Sequence, residues 1–377
     1  MTMDYTLDPG TAFQSVKFLI ELYDMLKPNF GELVEAKSDR FLNYDPGFLL
    51  DTYASEEPVN NGIAYTKICD FSQLVPWQKN WSDGAVVIKI VKKAFTRSNG
   101  NTKWQKASSA GFSELYNAGR ISGNEETIRV STAQIDHGHL YMSLQKATYY
   151  DQAHSNLILD FDRSDPNRHD SLRSQLETGF DGKLPPLSDP RLANTLGVAT
   201  LLFYESKNQW IPYIVRRVKK IGVFPGGLHC TASGVAKWPK DATNNTFFNF
   251  ATNHMLSEIE EEVGLKQEDL IDFRPLSLCR EMARGGKPQL FYGGFTRLDR
   301  KTLAERRKHA RKVLKATNQW QEIERDRWLR SADVVLTPHR LWTRLGKWGL
   351  TLEGAASLHF GVQYAQARSP YVKINKQ

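Results

Sequence analysis

The sequence predicts an α/β protein, with an α+β accessory domain over residues 1–190 and a sheet flanked by helices over residues 191–377. Residues 196–204 form a nearly continuous apolar run, interrupted by Thr200, which is typical of a strand that is buried on both faces of a sheet. Residues 247–263 contain no glycine or proline, and their apolar side chains recur at helical spacing. Two further strand-like runs follow this helix. The alternation of strands and helix therefore favours an α/β fold.

The composition is that of a globular protein. Of the 377 residues, 40% are hydrophobic and 24% are charged. No apolar run approaches the roughly 18 residues that a membrane span requires, and the first residues lack the order of a signal peptide. Cys69, Cys230 and Cys279 are scattered without metal-ligand spacing, which suits a reducing compartment. We therefore expect a cytoplasmic protein with two domains.

The N-terminal half contains a helix and several strands. The pattern predicts an amphipathic helix over residues 13–27 and a buried strand over residues 85–91, where β-branched residues dominate. Two more strands are expected over residues 128–131 and 140–144. Residues 160–190 carry Asp-Pro and Pro-Pro dipeptides, which are typical of a linker. No motif in this half indicates a chemical activity, so we interpret it as the accessory domain.

The C-terminal half begins with a hairpin. The strand over residues 196–204 is followed by a turn and by a returning strand over residues 210–217. A Pro-Gly-Gly break at residues 225–227 then precedes the helix. After the helix, residues 273–280 and 289–296 are predicted to be strands joined by a glycine-rich turn.

Three glutamates share one ridge of the helix over residues 247–263. At about 100° per residue, Glu258, Glu261 and Glu262 project together, because they are related by i+3 and i+4. Like charges at these spacings repel each other. A hard divalent cation reverses that repulsion, and Mg²⁺ characteristically binds a few carboxylates together with substrate phosphates. The ridge is therefore either a Mg²⁺ (or Mn²⁺) site or a solvated acidic face.

The segment Glu-Ile-Glu-Glu-Glu-Val-Gly-Leu at residues 258–265 resembles the second half of the Nudix box. That box runs from a glycine through a glutamate to Arg-Glu, an aliphatic residue, any residue, Glu-Glu, any residue, a glycine and an aliphatic residue. By this resemblance, Glu258, Glu261 and Glu262 match the metal-binding carboxylates of the family. Gly264 matches its closing glycine.

The first half of the box is altered. Ser257 stands where the family has the arginine that braces the glutamates. Strict spacing would place the first glycine and glutamate of the box at Thr243 and Asn249. Gly234 is the substitute that we expect for the opening glycine. It lies 23 positions before Ser257, against 14 in the box, which implies an insertion of nine residues.

The resemblance covers residues 195–300 and implies a fold and an activity. The fold is an α/β/α sandwich around a mixed sheet, which a helix over residues 352–366 would complete. The activity is Mg²⁺-dependent hydrolysis of a nucleoside diphosphate linked to a variable group, by attack of a metal-activated water on phosphorus. The alternative is a catalytically weak Nudix-fold nucleotide sensor or regulatory module, which the altered first half of the box favours.

The resemblance leaves the general base and the phosphate ligands open. The catalytic candidates are Glu261, Glu262 and Glu281, with Glu322 and Glu324 as further loop candidates. The metal candidates are Glu258, Glu261, Glu262 and Gly234. The substrate-binding candidates are Arg216, Arg217, Lys237 and Arg280. An arginine there could hold phosphate through two hydrogen bonds, or it could be an exposed residue of an edge strand.

A basic segment supplies the excess of positive charge. Residues 297–347 contain fifteen Lys/Arg and six Asp/Glu, whereas the net charge of the whole chain is +8. They include a predicted basic helix over residues 303–315 and a tryptophan-rich stretch. The tryptophans are Trp320, Trp328, Trp342 and Trp348. Such a segment is either a solvated face or a surface for an anionic partner, and nucleic acid is one candidate. A third possible class is therefore an RNA-binding protein.

Overall fold

A computed structural model describes residues 40–60, 63–98, 100–121, 123–161, 171–177, 179–206, 209–218, 226–316, 323–327 and 349–368. The helix predicted over residues 13–27, the candidate Glu322 and the four tryptophans of the C-terminal segment lie outside these ranges. In the described ranges the protein is a mixed α/β fold. None of the helices in these ranges has the length and apolar character needed to cross a membrane.

The strands form three sheets within the described part of the chain. The strands are β1 (Pro58–Asn60), β2 (Ile63–Asp70), β3 (Val86–Val91), β4 (Glu126–Asp136), β5 (His139–Thr148), β6 (Gly197–Ser206), β7 (Gln209–Pro212), β8 (Ile214–Arg217), β9 (Leu228–His229), β10 (Ala232–Val235), β11 (Leu270–Glu281), β12 (Lys287–Thr296) and β13 (Ile323–Arg327). The strands predicted from the sequence are confirmed, and β4 and β5 are longer than predicted. The returning strand is divided at Tyr213 into β7 and β8, which belong to different sheets.

The helices differ widely in length. They are α1 (Pro46–Thr52), α2 (Phe71–Leu74), α3 (Thr102–Asn117), α4 (Tyr149–Ala153), α5 (Leu172–Glu177), α6 (Asn253–Val263), α7 (Arg300–Ala316) and α8 (Leu352–Arg368). A π-helical turn over Phe248–Thr252 precedes α6, so the helix predicted over residues 247–263 is confirmed with a wider first part. Gly264 ends α6 with a φ of 72°, as expected for a glycine at a helix C-terminus.

The largest sheet has the strand order β1-β2-β11-β12-β6-β10, and β7 also pairs with β6. Strands β12 and β6 are parallel, whereas their other neighbours are antiparallel, so the sheet is mixed. Strands β1 and β2 come from residues 1–190, and the other strands come from residues 191–377. The predicted domain boundary therefore falls between strands of a single sheet.

Helices pack on both faces of this sheet. Adjacent residues of β12 point to opposite sides. On one side, the ring of Phe291 lies 5.2 Å from that of Phe360 in α8. On the other, the Tyr292 hydroxyl lies 3.2 Å from the Thr252 hydroxyl, just before α6. A strand covered on both faces has no solvent-exposed side, which explains why every residue of β12 is buried.

The described residues of the 160–190 segment are packed against the protein rather than extended as a linker. Arg173 in α5 is fully buried and forms an ion pair of 2.7 Å with Asp160. Its guanidinium also donates to the carbonyl oxygens of Met282 (3.0 Å) and Ala283 (2.6 Å), between β11 and β12. A buried arginine needs such partners, because an unpaired buried charge is strongly destabilising. This segment therefore anchors the turn that leads into β12.

Candidate metal centre

Helix α6 presents the three predicted glutamates with three different exposures. Glu261 is exposed, Glu258 is half-buried, and only 8% of Glu262 is exposed. The adjacent flank of the helix packs into the core. Its buried apolar residues are Met255, Ile259 and Val263. The ridge is therefore not uniformly solvated, since one of its carboxylates is directed inward.

The inward carboxylate is held by the neighbouring strand. The backbone N–H of Ser233 in β10 donates to Glu262 Oε2 over 3.0 Å. A charge-assisted bond of this kind fixes the carboxylate and offsets part of the free-energy cost of burying it. The sequence did not identify Ser233, because the contact is made by its backbone.

The next residue of β10 makes room for a second glutamate. A Cβ atom at Gly234 would lie 2.3 Å from Glu258 Oε1 and 2.4 Å from Glu258 Cδ. The structure therefore brings Gly234 and Glu258 together, as predicted from the sequence. Ser257 is exposed, and its hydroxyl donates to the Asn253 carbonyl of its own helix over 3.1 Å.

Lys237 lies beside the ridge with an additional carboxylate. Its Nζ is 3.0 Å from Glu125 Oε2, just before β4. Burial lowers the pKa of Lys237, but the hydrogen bond and charge of Glu125 and the charges of Glu258 and Glu261 together raise it above its ordinary value. Lys237 therefore joins the ridge, as a cation close to the glutamates. Glu125 was not foreseen, because the N-terminal half gave no signal that it approaches the helix.

The two arginines of β8 have partners within the protein. Arg216 donates to the carbonyl of Gly226. Arg217 is 7% exposed, and its NH1 lies 2.8 Å from His229 Nε2 and 3.1 Å from Ser233 Oγ. Arg217 therefore contacts the ridge indirectly, because it donates to the side chain of Ser233, whose backbone N–H donates to Glu262.

A buried polar network continues from Arg217 to the other predicted acid. Glu353, at the start of α8, lies 4.0 Å from His229 Nε2 and accepts from Gln289 Nε2 over 3.0 Å. Arg284 NH2 lies 3.5 Å from Glu353 Oε2, and Arg284 Nε donates to Glu281 Oε2 over 2.6 Å. Glu281 is thus fully buried, with its carboxylate held against Arg284.

The network shifts the titration of its members. Burial, with the charges of Arg217 and Arg284, lowers the pKa of His229 well below its usual range. Burial raises the pKa of Glu353, although Arg284 opposes this effect. Burial and the charge of Arg284 lower the pKa of Lys287 to about 7, although Glu281 and Glu353 raise it. His229 is therefore neutral at pH 7.

Arg280 lies apart from the other substrate-binding candidates. Its Nε donates to the carbonyl of Gly286 over 3.3 Å, and its NH2 donates to the carbonyl of Pro185. Burial lowers its pKa, and the charge of Glu56 opposes this effect. The side chain supports the β11–β12 turn, and its hydrogen bonds do not link it to the ridge.

A second group of metal-binding residue types lies inside the network. The ligand atoms of His229, Cys230 and Glu353 lie within 4.8 Å of one another. However, Arg217 NH1 lies 2.8 Å from His229 Nε2, and Thr351 Oγ1 lies 2.7 Å from His229 Nδ1. A guanidinium beside the imidazole repels a cation, and both ring nitrogens are engaged. This arrangement therefore fits a buried hydrogen-bond network better than a metal site.

Comparisons with known proteins add little. No protein-family model matches the sequence, and no curated protein matches it. A crystal structure of the protein DR0079 from Deinococcus radiodurans matches with 15% sequence identity and a TM-score of 0.26, over 47% of this chain and 83% of that one. A TM-score this low does not establish a shared fold. A function can therefore be assigned only from the residues of the site.

Proposed function

We propose that the protein is a Mg²⁺- or Mn²⁺-dependent pyrophosphohydrolase of Nudix type, which cleaves a nucleoside diphosphate linked to a variable group. The observation that carries this proposal is the arrangement of α6 against β10. Glu262 accepts from the Ser233 N–H, and Glu258 occupies the space beside Gly234. The mixed sheet with helices on both faces supports the finer assignment to a Nudix-like α/β/α sandwich.

The donor set fits a hard divalent cation. Carboxylate oxygens are the ligands that Mg²⁺ prefers, and Glu258, Glu261 and Glu262 supply them from one helix. When bound, the cation would neutralise the diphosphate and make water a stronger nucleophile. Gly234 leaves space for the Glu258 carboxylate, and Ser233 keeps that of Glu262 in one orientation.

The residues also suggest roles in the reaction. Glu261 is the most exposed of the three glutamates, so we assign to it the acceptance of a proton from the attacking water. Glu281 is less suited, because it is fully buried against Arg284. Lys237 lies beside the ridge and could bind a phosphate oxygen of the substrate. A buried Arg217 is better placed to position Ser233 than to contact substrate.

The second candidate is a nucleotide sensor or regulatory module. One observation favours it: Ser257 is exposed and bonded to its own helix, so no guanidinium braces the glutamates from that position. Binding needs only the cleft and its charges, whereas turnover also needs a water aligned with phosphorus. With either function, we place the protein in the cytoplasm. Its buried free cysteines, which suit a reducing compartment, are Cys69, Cys230 and Cys279.

A metal titration and a hydrolysis screen test the proposal. Mg²⁺ or Mn²⁺ should raise the melting temperature of the wild type. At a cation concentration a hundredfold above Kd, binding should add about 2.7 kcal/mol to the free energy of unfolding. Glu258→Gln and Glu261→Gln should lose most of this rise and lower turnover of nucleoside diphosphate derivatives by orders of magnitude. Glu260→Gln is the matched control, because Glu260 is exposed on the same helix but off the ridge.

The two functions give different results in this experiment. Equal responses of the wild type and both variants to the cations would show that the ridge is not a metal site. A diphosphate derivative that binds tightly with Mg²⁺ but is recovered intact after long incubation would reject the hydrolase. The sensor would then take its place.

A further inference from the structure

Helix α7 carries most of the excess positive charge of the protein. Its 17 residues contain eight Lys/Arg and one Asp/Glu, whereas the net charge of the whole chain is +8. The helix is docked by one flank, formed by the buried residues Leu303, Arg307, Ala310 and Leu314. The backbone of Arg306 lies close to Gly264, where a Cβ atom would come within 2.6 Å of the Arg306 carbonyl oxygen. This close approach fixes the position of α7 against α6.

The outward face of α7 is a basic stripe, which we define as Lys301, Lys308, Lys312 and Lys315. At about 100° per residue these lysines fall within an arc of about 60°, opposite the buried flank. All four are exposed. The helix is about 25 Å long, so the stripe extends its positive charge over most of that distance.

The shape of the stripe indicates a large anion. Side chains diverge from the convex surface of a helix, so the four lysines cannot converge on one small phosphate compound. A polyanion with charges repeated along its length matches the stripe better. Other charged residues of α7 are not part of the basic stripe. Arg306 is paired with Asp269 at 3.7 Å, and Glu305 is the one acidic residue of the helix.

The surroundings of the stripe select among polyanions. Insertion into a membrane surface needs a free apolar face, but the apolar flank of α7 is buried in the protein. A stable protein interface is usually centred on aromatic or arginine anchors in desolvated pockets. In the described part of α7, Val313 is the one exposed large hydrophobic residue, so the helix lacks such anchors. Phosphate backbones, in contrast, are bound mainly through lysine and arginine charges.

We propose that the basic stripe of α7 binds the phosphate backbone of double-stranded nucleic acid without sequence preference. Single strands are usually held by aromatic side chains that stack on bases, and the described face of α7 carries none. Sequence readout needs side chains that reach base edges in a groove, whereas a stripe of lysines contacts phosphates. The basic stripe shares no residue with the glutamate ridge, so the inference does not depend on the proposed hydrolase activity.

The test uses the full chain with fluorescent duplexes of about 20 base pairs, one of DNA and one of RNA, and the matching single strands. Fluorescence anisotropy should detect tighter binding to duplex than to single strand at about 50 mM salt, with affinity falling steeply towards about 200 mM. A fourfold variant with Lys301, Lys308, Lys312 and Lys315 changed to Gln should reduce the slope of log K against log salt for duplex DNA by about 3 to 4.

The matched control changes four exposed lysines elsewhere, Lys92, Lys93, Lys103 and Lys106, to Gln. It should bind as the wild type does, and both variants should keep the wild-type melting temperature and response to Mg²⁺. Binding that falls equally in both variants would reflect net charge alone and overturn the proposal. So would no duplex binding at about 50 mM salt, a preference for the single strands, or binding only to vesicles with about 30% anionic lipid.

Discussion

Gly234 leaves room for the Glu258 side chain in the candidate metal centre. Gly234 lies in β10 opposite Val198 of β6, in extended backbone that other residues also adopt. Its lack of a side chain matters because of Glu258, whose carboxylate group occupies the space that a Cβ atom would fill. A glutamate side chain is flexible, so it can move aside without disturbing the strand.

Gly234→Ala should therefore separate stability from metal binding. The added methyl group should displace the Glu258 carboxylate, while the free energy of unfolding changes by about 1 kcal/mol or less. The rise in melting temperature with Mg²⁺ should largely disappear. Thermal and urea unfolding with and without Mg²⁺ measure both effects. Gly123→Ala is the control, because a Cβ atom there meets nothing within 4 Å. An unchanged Mg²⁺ response would remove Glu258 from the metal site.

At the scale of single elements, the sequence predicted most of the secondary structure. The apolar run at residues 196–204 and the glutamate-bearing helix carry strong periodic patterns, and both were found where expected. The division of the returning strand into β7 and β8 was missed, because pairing with different sheets leaves no local signal in the sequence. The burial of Arg173 was missed because its partners are distant in sequence.

The candidate site was predicted only in part, because some of its residues are distant from one another in sequence. The spacing of Glu258, Glu261 and Glu262 is local, so one stretch of sequence contains it. Ser233 contributes a backbone group, and Glu353 comes from α8, 91 positions beyond Glu262. Such contacts exist only after the sheet and its two helical layers have assembled.

The turn between β11 and β12 leads into a pH-dependent element. Lys287, at the start of β12, is fully buried, and its Nζ lies 3.4 Å from Gln289 Oε1. Its pKa is lowered to about 7, against about 10.4 in an unfolded chain. Below pH 7 both states bind the proton. Above pH 7 the unfolded state keeps a proton that the folded state has lost, so this lysine makes the protein more stable as pH rises.

Lys287→Met should remove this contribution. We expect the free energy of unfolding of the wild type, relative to the variant, to rise between about pH 7 and pH 9. Urea unfolding of both proteins at each pH measures the difference. The comparison also cancels the contribution of the three cysteines, because burial raises the pKa of their thiols in the folded protein above its value in the unfolded chain. Parallel pH profiles would show that Lys287 has the same protonation in the folded and unfolded states.

At the scale of the whole molecule, the two halves of the chain share one sheet. Strand β2 pairs with β11 from Asp70–Ser277 to Tyr65–Glu281, and the Met282 N–H donates to the Ala64 carbonyl over 3.0 Å. Arg173 then holds the carbonyls of Met282 and Ala283 from behind. The residues before the predicted boundary therefore complete the support of β11 and β12. The Asn156 side chain also donates to the Arg284 carbonyl over 2.9 Å, which links them to the network behind the candidate metal centre.

Separating the halves at residue 190 should consequently disrupt the sheet. A fragment of residues 191–377 would expose the edge of β11, a long strand that invites pairing with other chains. We expect this fragment to aggregate or to lack a cooperative thermal transition, whereas co-expression with residues 1–190 should yield a complex that purifies together. Light scattering and calorimetry on the fragment, the co-expressed halves and the intact chain measure these outcomes. A monomeric fragment with a cooperative transition and a wild-type response to Mg²⁺ would instead support an independent C-terminal domain, with β1 and β2 as additions to a sheet that is stable without them.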